Sequence, residues 1–251
     1  MLDDFQPIVQ RLDGRTIRVW AVADVHIGAR ECDMDGFRKF IGSLGDDDYI
    51  VLVGDLVNNG IRDSLTNVYE EVMPPSMQIE TAAQILEPVR DRILGAVAGN
   101  HENRTAKAVD IDITHTVMCL LGHPEVYRRN MAFVRVNLAR GKTQDHYALL
   151  LTHGKSDARC KKFHYAVEGV DAIITAHTHT PLAEKPARIV FTKSNRVRVE
   201  PLVSMVATSW LSYGGYGAAG LYAPTATSNP QHLVLEYVNS NDRSGNITVV
   251  W

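Results

Sequence analysis

Five short stretches of this sequence carry side chains that bind divalent metals: Asp24-Val25-His26, Gly54-Asp55, Gly99-Asn100-His101-Glu102, His153, and His177-Thr178-His179. Carboxylate and amide oxygens mixed with imidazole nitrogens suit Mn²⁺, Fe or Zn²⁺, whereas an all-oxygen set suits Mg²⁺ or Ca²⁺. The seven ligand-type residues Asp24, His26, Asp55, Asn100, His153, His177 and His179 are too many for one tetrahedral ion. They suit two divalent ions about 3.5–4 Å apart sharing a carboxylate. Asp55 is the expected bridge, because its strand should lie between the others. Taken singly, Asp-x-His is ordinarily a turn and Gly-Asp after a strand is common. Their conjunction, in this order, is what points to a metal centre.

Each stretch follows an apolar run: 17–23, 49–53, 93–98, 147–152 and 172–175. Nearly all-apolar strands ending abruptly in polar residues read as buried strands, delivering those residues to one edge of a sheet. Ligands bind at that edge in open α/β sheets.

The intervening chain supplies the other elements. Asp33 is a plausible N-cap for a helix with an apolar face of Met34, Phe37, Phe40, Ile41 and Leu44. Ser76 is expected to cap a longer helix, and 103–121 to form one helix closing at Gly122. Residues 131–138 and 146–152 read as an antiparallel pair, 157–167 as a short basic helix, and 187–192 with 196–206 as a hairpin. A last antiparallel pair covers 232–238 and 246–251. The first half alternates strand and helix and the second is mostly β. The expectation is an α/β (α+β) fold of two stacked sheets with helices outside, in one domain over residues 1–251.

Composition sets bounds. With 251 residues, 45% hydrophobic and 22% charged, the chain is an ordinary globular one that needs no staples. A net charge of -3 gives no global attraction to nucleic acid or anionic membrane, so polyanion binding must be local. Cys32, Cys119 and Cys160 show no C-x-x-C spacing and read as free thiols. Neither a secretory signal nor an 18-residue apolar run is present, so a cytoplasmic protein without membrane contact is expected.

The ordered set Asp24-x-His26, Gly54-Asp55, Gly99-Asn100-His101-Glu102, His153 and Ala176-His177-x-His179 resembles the calcineurin-like metallophosphoesterases. The resemblance covers residues 24–179 and implies a four-layer α-β-β-α sandwich of two mixed sheets around a dinuclear site. By it, Asp24, His26, Asp55 and His179 hold one ion, and Asp55, Asn100, His153 and His177 the other. His101 is then the non-ligand catalytic histidine that supplies a proton to the leaving group. Two dications would acidify a bridging water into the attacking hydroxide and neutralise the phosphoryl oxygens. Mn²⁺ is the first expectation for the metal.

Departures from the pattern refine the expectation. Asn58 and Asn59 stand where the protein-phosphatase branch has an Asp that orients the histidine and an Arg that grips phosphate. Asn58 is expected to hydrogen-bond His101 without charge, and Asn59 cannot grip phosphate bidentately. Arg104 is the candidate replacement clamp, with an exposed helix-start arginine as the plain alternative. This set favours a phosphodiesterase, with a nuclease in DNA processing as one form of it, over a nucleotide or protein phosphatase. A non-catalytic scaffold of the same fold is the third reading. Trp210, Tyr213 and Tyr216 are candidates to stack bases of single-stranded or nicked DNA, against the alternative that they pack on a sheet edge. Arg159, Lys161, Lys162, Lys185, Arg188, Lys193, Arg196 and Arg198 are candidates to track a phosphate backbone, or solvated charges on an edge. A homodimer is one assembly open to the chain.

Overall fold

The computed structural model describes residues 3–62, 64, 68–156, 162–164, 166–192, 194–214, 218, 230–239 and 247–250. Its strands in chain order are β1 (Ile8–Asp13), β2 (Thr16–Val22), β3 (Asp48–Val53), β4 (Ile93–Val97), β5 (Tyr127–Arg128), β6 (Met131–Arg140) and β7 (Thr143–Thr152). There follow β8 (Ala172–Thr175), β9 (Leu182–Glu184), β10 (Ala187–Phe191), β11 (Val197–Pro201), β12 (Val203–Val206), β13 (His232–Glu236) and β14 (Ile247–Val250). The helices are α1 (Met34–Ser43), α2 (Pro75–Leu86), α3 (Glu102–Val109) and α4 (Ile113–Leu120).

Twelve of these strands make two six-stranded mixed sheets, ordered β14-β13-β2-β3-β4-β5 and β1-β6-β7-β8-β12-β9, and β10 and β11 pair as a separate ribbon. Strands β2, β3, β4 and β5 run parallel, as the alternation of strand and helix requires. The sheets pack face to face through Val134, Val136, Leu149 and Leu151 of one and Val51, Val53 and Val97 of the other, all buried. At Gly95 a Cβ would fall 2.6 Å from Val134 Cγ2, so glycine is what lets the layers meet there. Helices α1, α2 and α4 cover the outer face of the first sheet. Residues around Phe163, Val167 and Val170 cover Leu150 and Ile173 on the outer face of the second. The α/β architecture of two mixed sheets with flanking helices is the one expected.

Several local expectations hold for the stated reasons. Asp33 caps α1 by accepting from Gly36 N–H at 2.9 Å. Strands β6 and β7 pair antiparallel from Met131–Thr152 to Arg140–Thr143, and β13 pairs with β14.

Others need correction. The second helix starts one residue before Ser76: Pro75 occupies its first turn, where a missing N–H costs nothing, and Pro74 precedes it without a side-chain cap. The stretch 103–121 is two helices, because Asp110 turns left-handed (φ 57) and Asp112 caps α4 by accepting from His115 N–H at 3.1 Å. The second hairpin arm ends at Pro201. Strand β12 then leaves the ribbon to run parallel to β8 in the second sheet. Strand β1 is an addition to the expected elements; only Ile8 of its residues is buried, so it carries no apolar run. Of the expected basic helix, 157–161 and 165 lie outside the described residues.

Candidate metal centre

The centre forms where the C-terminal ends of β2, β3, β4, β7 and β8 converge. Asp24 and His26 follow β2, Asp55 follows β3, Asn100 and His101 follow β4, His153 follows β7, and His177 and His179 follow β8. Asp24, His26, Asp55, His177 and His179 all adopt positive φ, between 48° and 75°. That conformation is uncommon for residues with a Cβ, although Asp and His tolerate it better than most, and such strain gathers at functional sites. Gly54 (φ +85) allows a close approach: a Cβ there would lie 2.6 Å from Gly99 N and 2.7 Å from His153 Nδ1.

Asp55 sits at the middle, almost fully buried. Its Oδ2 lies 3.2 Å from His153 Nε2, 3.8 Å from His26 Nε2 and 3.9 Å from His101 Nε2. Its Oδ1 accepts from His101 N–H at 2.8 Å. On one side of it, Asp24 Oδ1 lies 3.3 Å from His179 Nε2 and 3.8 Å from His26 Nε2. On the other, His153 Nε2 is 3.1 Å from Asn100 Oδ1, and the His153 and His177 rings stand 5.1 Å apart. Asp24, His26 and His179 thus form one group able to hold an ion, and Asp55, His153 and His177 a second. Asp24 Oδ1 and both ring nitrogens of His26 are buried without a hydrogen-bond partner. Buried polar atoms are rarely left so, and a cation bound among them would engage Asp24 Oδ1 and one of the His26 nitrogens. The residues therefore fit a divalent-metal site.

Charge among these side chains is strongly perturbed. Burial alone would raise the Asp55 carboxyl, but His153, through its charge and its contact with Oδ2, holds it well below its usual range. Burial likewise opposes ionisation of Asp24, yet His179, 3.3 Å from its Oδ1, keeps it lowered. His153 is pushed up to about 10: burial works against this, and Asp55 overrides it. His26 is pushed down to about 3, chiefly by burial. His153 Nδ1–H donates to the Val53 carbonyl at 2.8 Å, which aims Nε2 into the centre.

His101 is held from both ring nitrogens. Nδ1–H donates to the backbone carbonyl of Asn58 at 2.7 Å, and Arg104 Nη2–H donates to Nε2 at 2.9 Å. Both bonds require the neutral Nδ1–H tautomer, and burial lowers the ring's pKa in the same sense. The bond expected from the Asn58 side chain is made by its backbone; the amide turns away to Glu71 Oε1 at 2.9 Å. Asn59 is buried and structural: its Nδ2–H₂ donates to the His101 carbonyl and its Oδ1 accepts from Thr105. Arg104 is no bystander on the helix surface, since it also donates to the Asn58 carbonyl at 3.1 Å.

The expected stacking loop is corrected by the structure. Trp210 is 9% exposed and packs on Phe37 and Phe40, with ring centroids 5.1 and 5.3 Å away, so no base can stack on it. Its backbone N–H instead donates to the Asp24 carbonyl at 3.0 Å and supports the first ligand loop. Tyr213 is 53% exposed, and Tyr216 lies outside the described residues. Of the expected basic track, Lys185 and Arg188 donate to backbone carbonyls of Ile247, Val167 and Val170. Arg159, Lys161 and Lys193 lie outside the described residues.

A calcineurin-like phosphoesterase family model matches residues 17–181. The chain belongs to that family. Its members are divalent-metal hydrolases acting on phosphate esters. Among solved structures, the calcineurin-like phosphoesterase YfkN from Bacillus subtilis is 11% identical, covering 94% of this chain and 90% of its own, with a TM-score of 0.47. A metallophosphoesterase from Sphaerobacter thermophilus is 14% identical over 93% and 87%, at 0.41. Vps29 complexed with Zn²⁺ from Entamoeba histolytica is 14% identical over 93% and 97%, also at 0.41. No curated protein matches the sequence. Among the described residues, no helix of this calcineurin-like phosphoesterase is long and apolar enough to cross a membrane.

Proposed function

We propose that this chain is a phosphodiesterase working with two divalent ions, Mn²⁺ first among them and Fe or Zn²⁺ as alternatives. Asp24, His26, Asp55 and His179 would hold one ion, and Asp55, Asn100, His153 and His177 the other. Ions bound there supply Lewis acidity towards phosphoryl oxygens and a water acidified to near neutral pH.

The chain's own residues account for the rest. Water contributes the oxygen that bonds to phosphorus, the P–O bond to the leaving group breaks, and the leaving oxygen takes a proton. Once the substrate draws Arg104 away, His101 Nε2 takes up a proton from solvent and passes it to the leaving oxygen. The Arg104 guanidinium, so released, faces a phosphoryl oxygen with a charge-assisted donor.

One observation favours diester over monoester. Asn59, at the position of the phosphate-gripping arginine in the protein-phosphatase branch, has its amide committed to His101 and Thr105. A monoester dianion therefore lacks the bidentate partner that would hold its extra charge.

The test compares bis-p-nitrophenyl phosphate with p-nitrophenyl phosphate on Mn²⁺-loaded protein. Higher kcat/KM on the diester is expected, and turnover confined to the monoester overturns the reading. His101→Ala should keep its metal and lose at least a hundredfold in kcat, on the order of what general acid catalysis contributes.

A further inference from the structure

A cavity of about 830 Å³ opens from the candidate centre, with His153 and His177 in its wall. It runs between α3 and the ends of β6, β7 and β8, lined by Asn103, Lys107, Arg129, Met131, Lys155 and Phe163 among others. The protein carries a net charge of -3, yet this cavity has three cations and no carboxylate among its described lining residues. Arg129 is anchored by one ion pair, Nε to Asp112 Oδ2 at 2.9 Å, with its side chain 45% exposed. Lys107 and Lys155 are exposed and make no ion pair among the described residues. Met131 and Phe163 add an apolar surface of the kind that receives a ring.

We propose that this cavity binds the leaving half of the substrate, and that this half carries a phosphate of its own. The substrate class is then a nucleotide-sized diester or pyrophosphate. The inference rests on the phosphodiesterase reading for the place of the scissile phosphorus. The cavity volume lies in the range that encloses one small ligand. Cations unopposed by carboxylates select an anion, and the apolar wall selects a ring beside it. A phosphate bound at the centre would project its leaving group past His153 and His177 towards Lys107, Arg129 and Lys155.

Hydrolysis of thymidylyl-thymidine is compared, on Mn²⁺-loaded protein, with that of the same dinucleotide bearing a 3′-terminal phosphate, and with that of ADP-ribose. Faster turnover of the phosphorylated dinucleotide assigns the phosphate to a nucleic-acid fragment. Turnover of ADP-ribose assigns it to a pyrophosphate. A phosphorylated dinucleotide no better than the plain one, with ADP-ribose intact, overturns the proposal. In Lys107→Ala/Lys155→Ala protein, the preference for the better phosphorylated substrate should fall about tenfold; an unchanged preference overturns it.

Calorimetric binding of thymidine 5′-monophosphate keeps the two readings apart. If no ester is cleaved, the phosphodiesterase reading fails, and the cavity is judged by binding alone. Wild-type protein should then bind the nucleotide about tenfold more tightly than the double variant. Equal binding by both sinks the cavity as an anion site.

Discussion

Glu102 holds Asp55 in place: Oε2 accepts the Asp55 backbone N–H at 3.0 Å from 47 residues away. The same oxygen accepts from Gly99 N–H at 2.8 Å, and Oε1 accepts from Val57 N–H at 3.1 Å. One buried carboxyl thus ties the end of β3 to the end of β4. Burial and the charge of Asp55 push that carboxyl up to about 7. Glu102→Gln sets an NH₂ group against at least one of these N–H donors. It should cost about 1–3 kcal/mol and lower the bound-metal stoichiometry. Denaturant unfolding and metal analysis of the purified variant check both. A variant as stable and as metal-rich as wild type would leave Glu102 without this role.

Metal loading should release protons. His153, pushed up to about 10, carries its proton at neutral pH in the metal-free protein. Nδ1–H is engaged by Val53, so ligation requires the loss of the proton on Nε2. His26, pushed down to about 3, is already neutral and has none to lose. Metal affinity should therefore rise with pH through neutrality and level off as pH approaches 10. Calorimetric titrations of Mn²⁺ in buffers of different ionisation enthalpy measure the protons released; a count of zero contradicts the prediction.

Trp210→Ala should act on stability. Loss of a large aromatic packed on Phe37 and Phe40 costs about 3–5 kcal/mol, and a chain of this size loses about 2–4 °C of Tm per kcal/mol. Trp210→Phe should recover most of the loss. Thermal unfolding tests this, and a variant that kept its Tm but lost single-stranded DNA binding would restore a nucleic-acid role.

The Asp48 carboxylate ties the first sheet to the loop before β3. It accepts from Arg18 Nη2 at 3.0 Å, Trp20 Nε1 at 2.8 Å and Gly45 N at 2.7 Å, besides Arg18 Nε. Burial works against ionisation, but these partners, Arg18 foremost, hold it at about 2. The folded value lies below the ordinary carboxylate value of about 4. Its stabilisation is therefore complete above that value and is lost as pH falls towards 2. Asp48→Asn should destabilise at pH 7 by about 1–3 kcal/mol and flatten the acid limb of the stability curve. An acid limb identical to wild type would count against it.

The polar ends of five apolar runs, and the residue types standing there, were legible in the sequence. So were the Asp33 cap and the pairing of β6 with β7. These features follow from neighbours close in the chain, where alternation, capping and donor chemistry operate over a few residues. Tertiary structure decided the rest. Asn58 serves His101 through its backbone because its amide is drawn to Glu71. Trp210 is core because Phe37 and Phe40, far back in the chain, leave a slot of its shape. Glu102 becomes an anchor, and five ligand-type residues take positive φ, only because separate strands end at one point. Local pattern specifies what a side chain offers. Which partner accepts the offer depends on the packing of distant segments, and no local spacing encodes that.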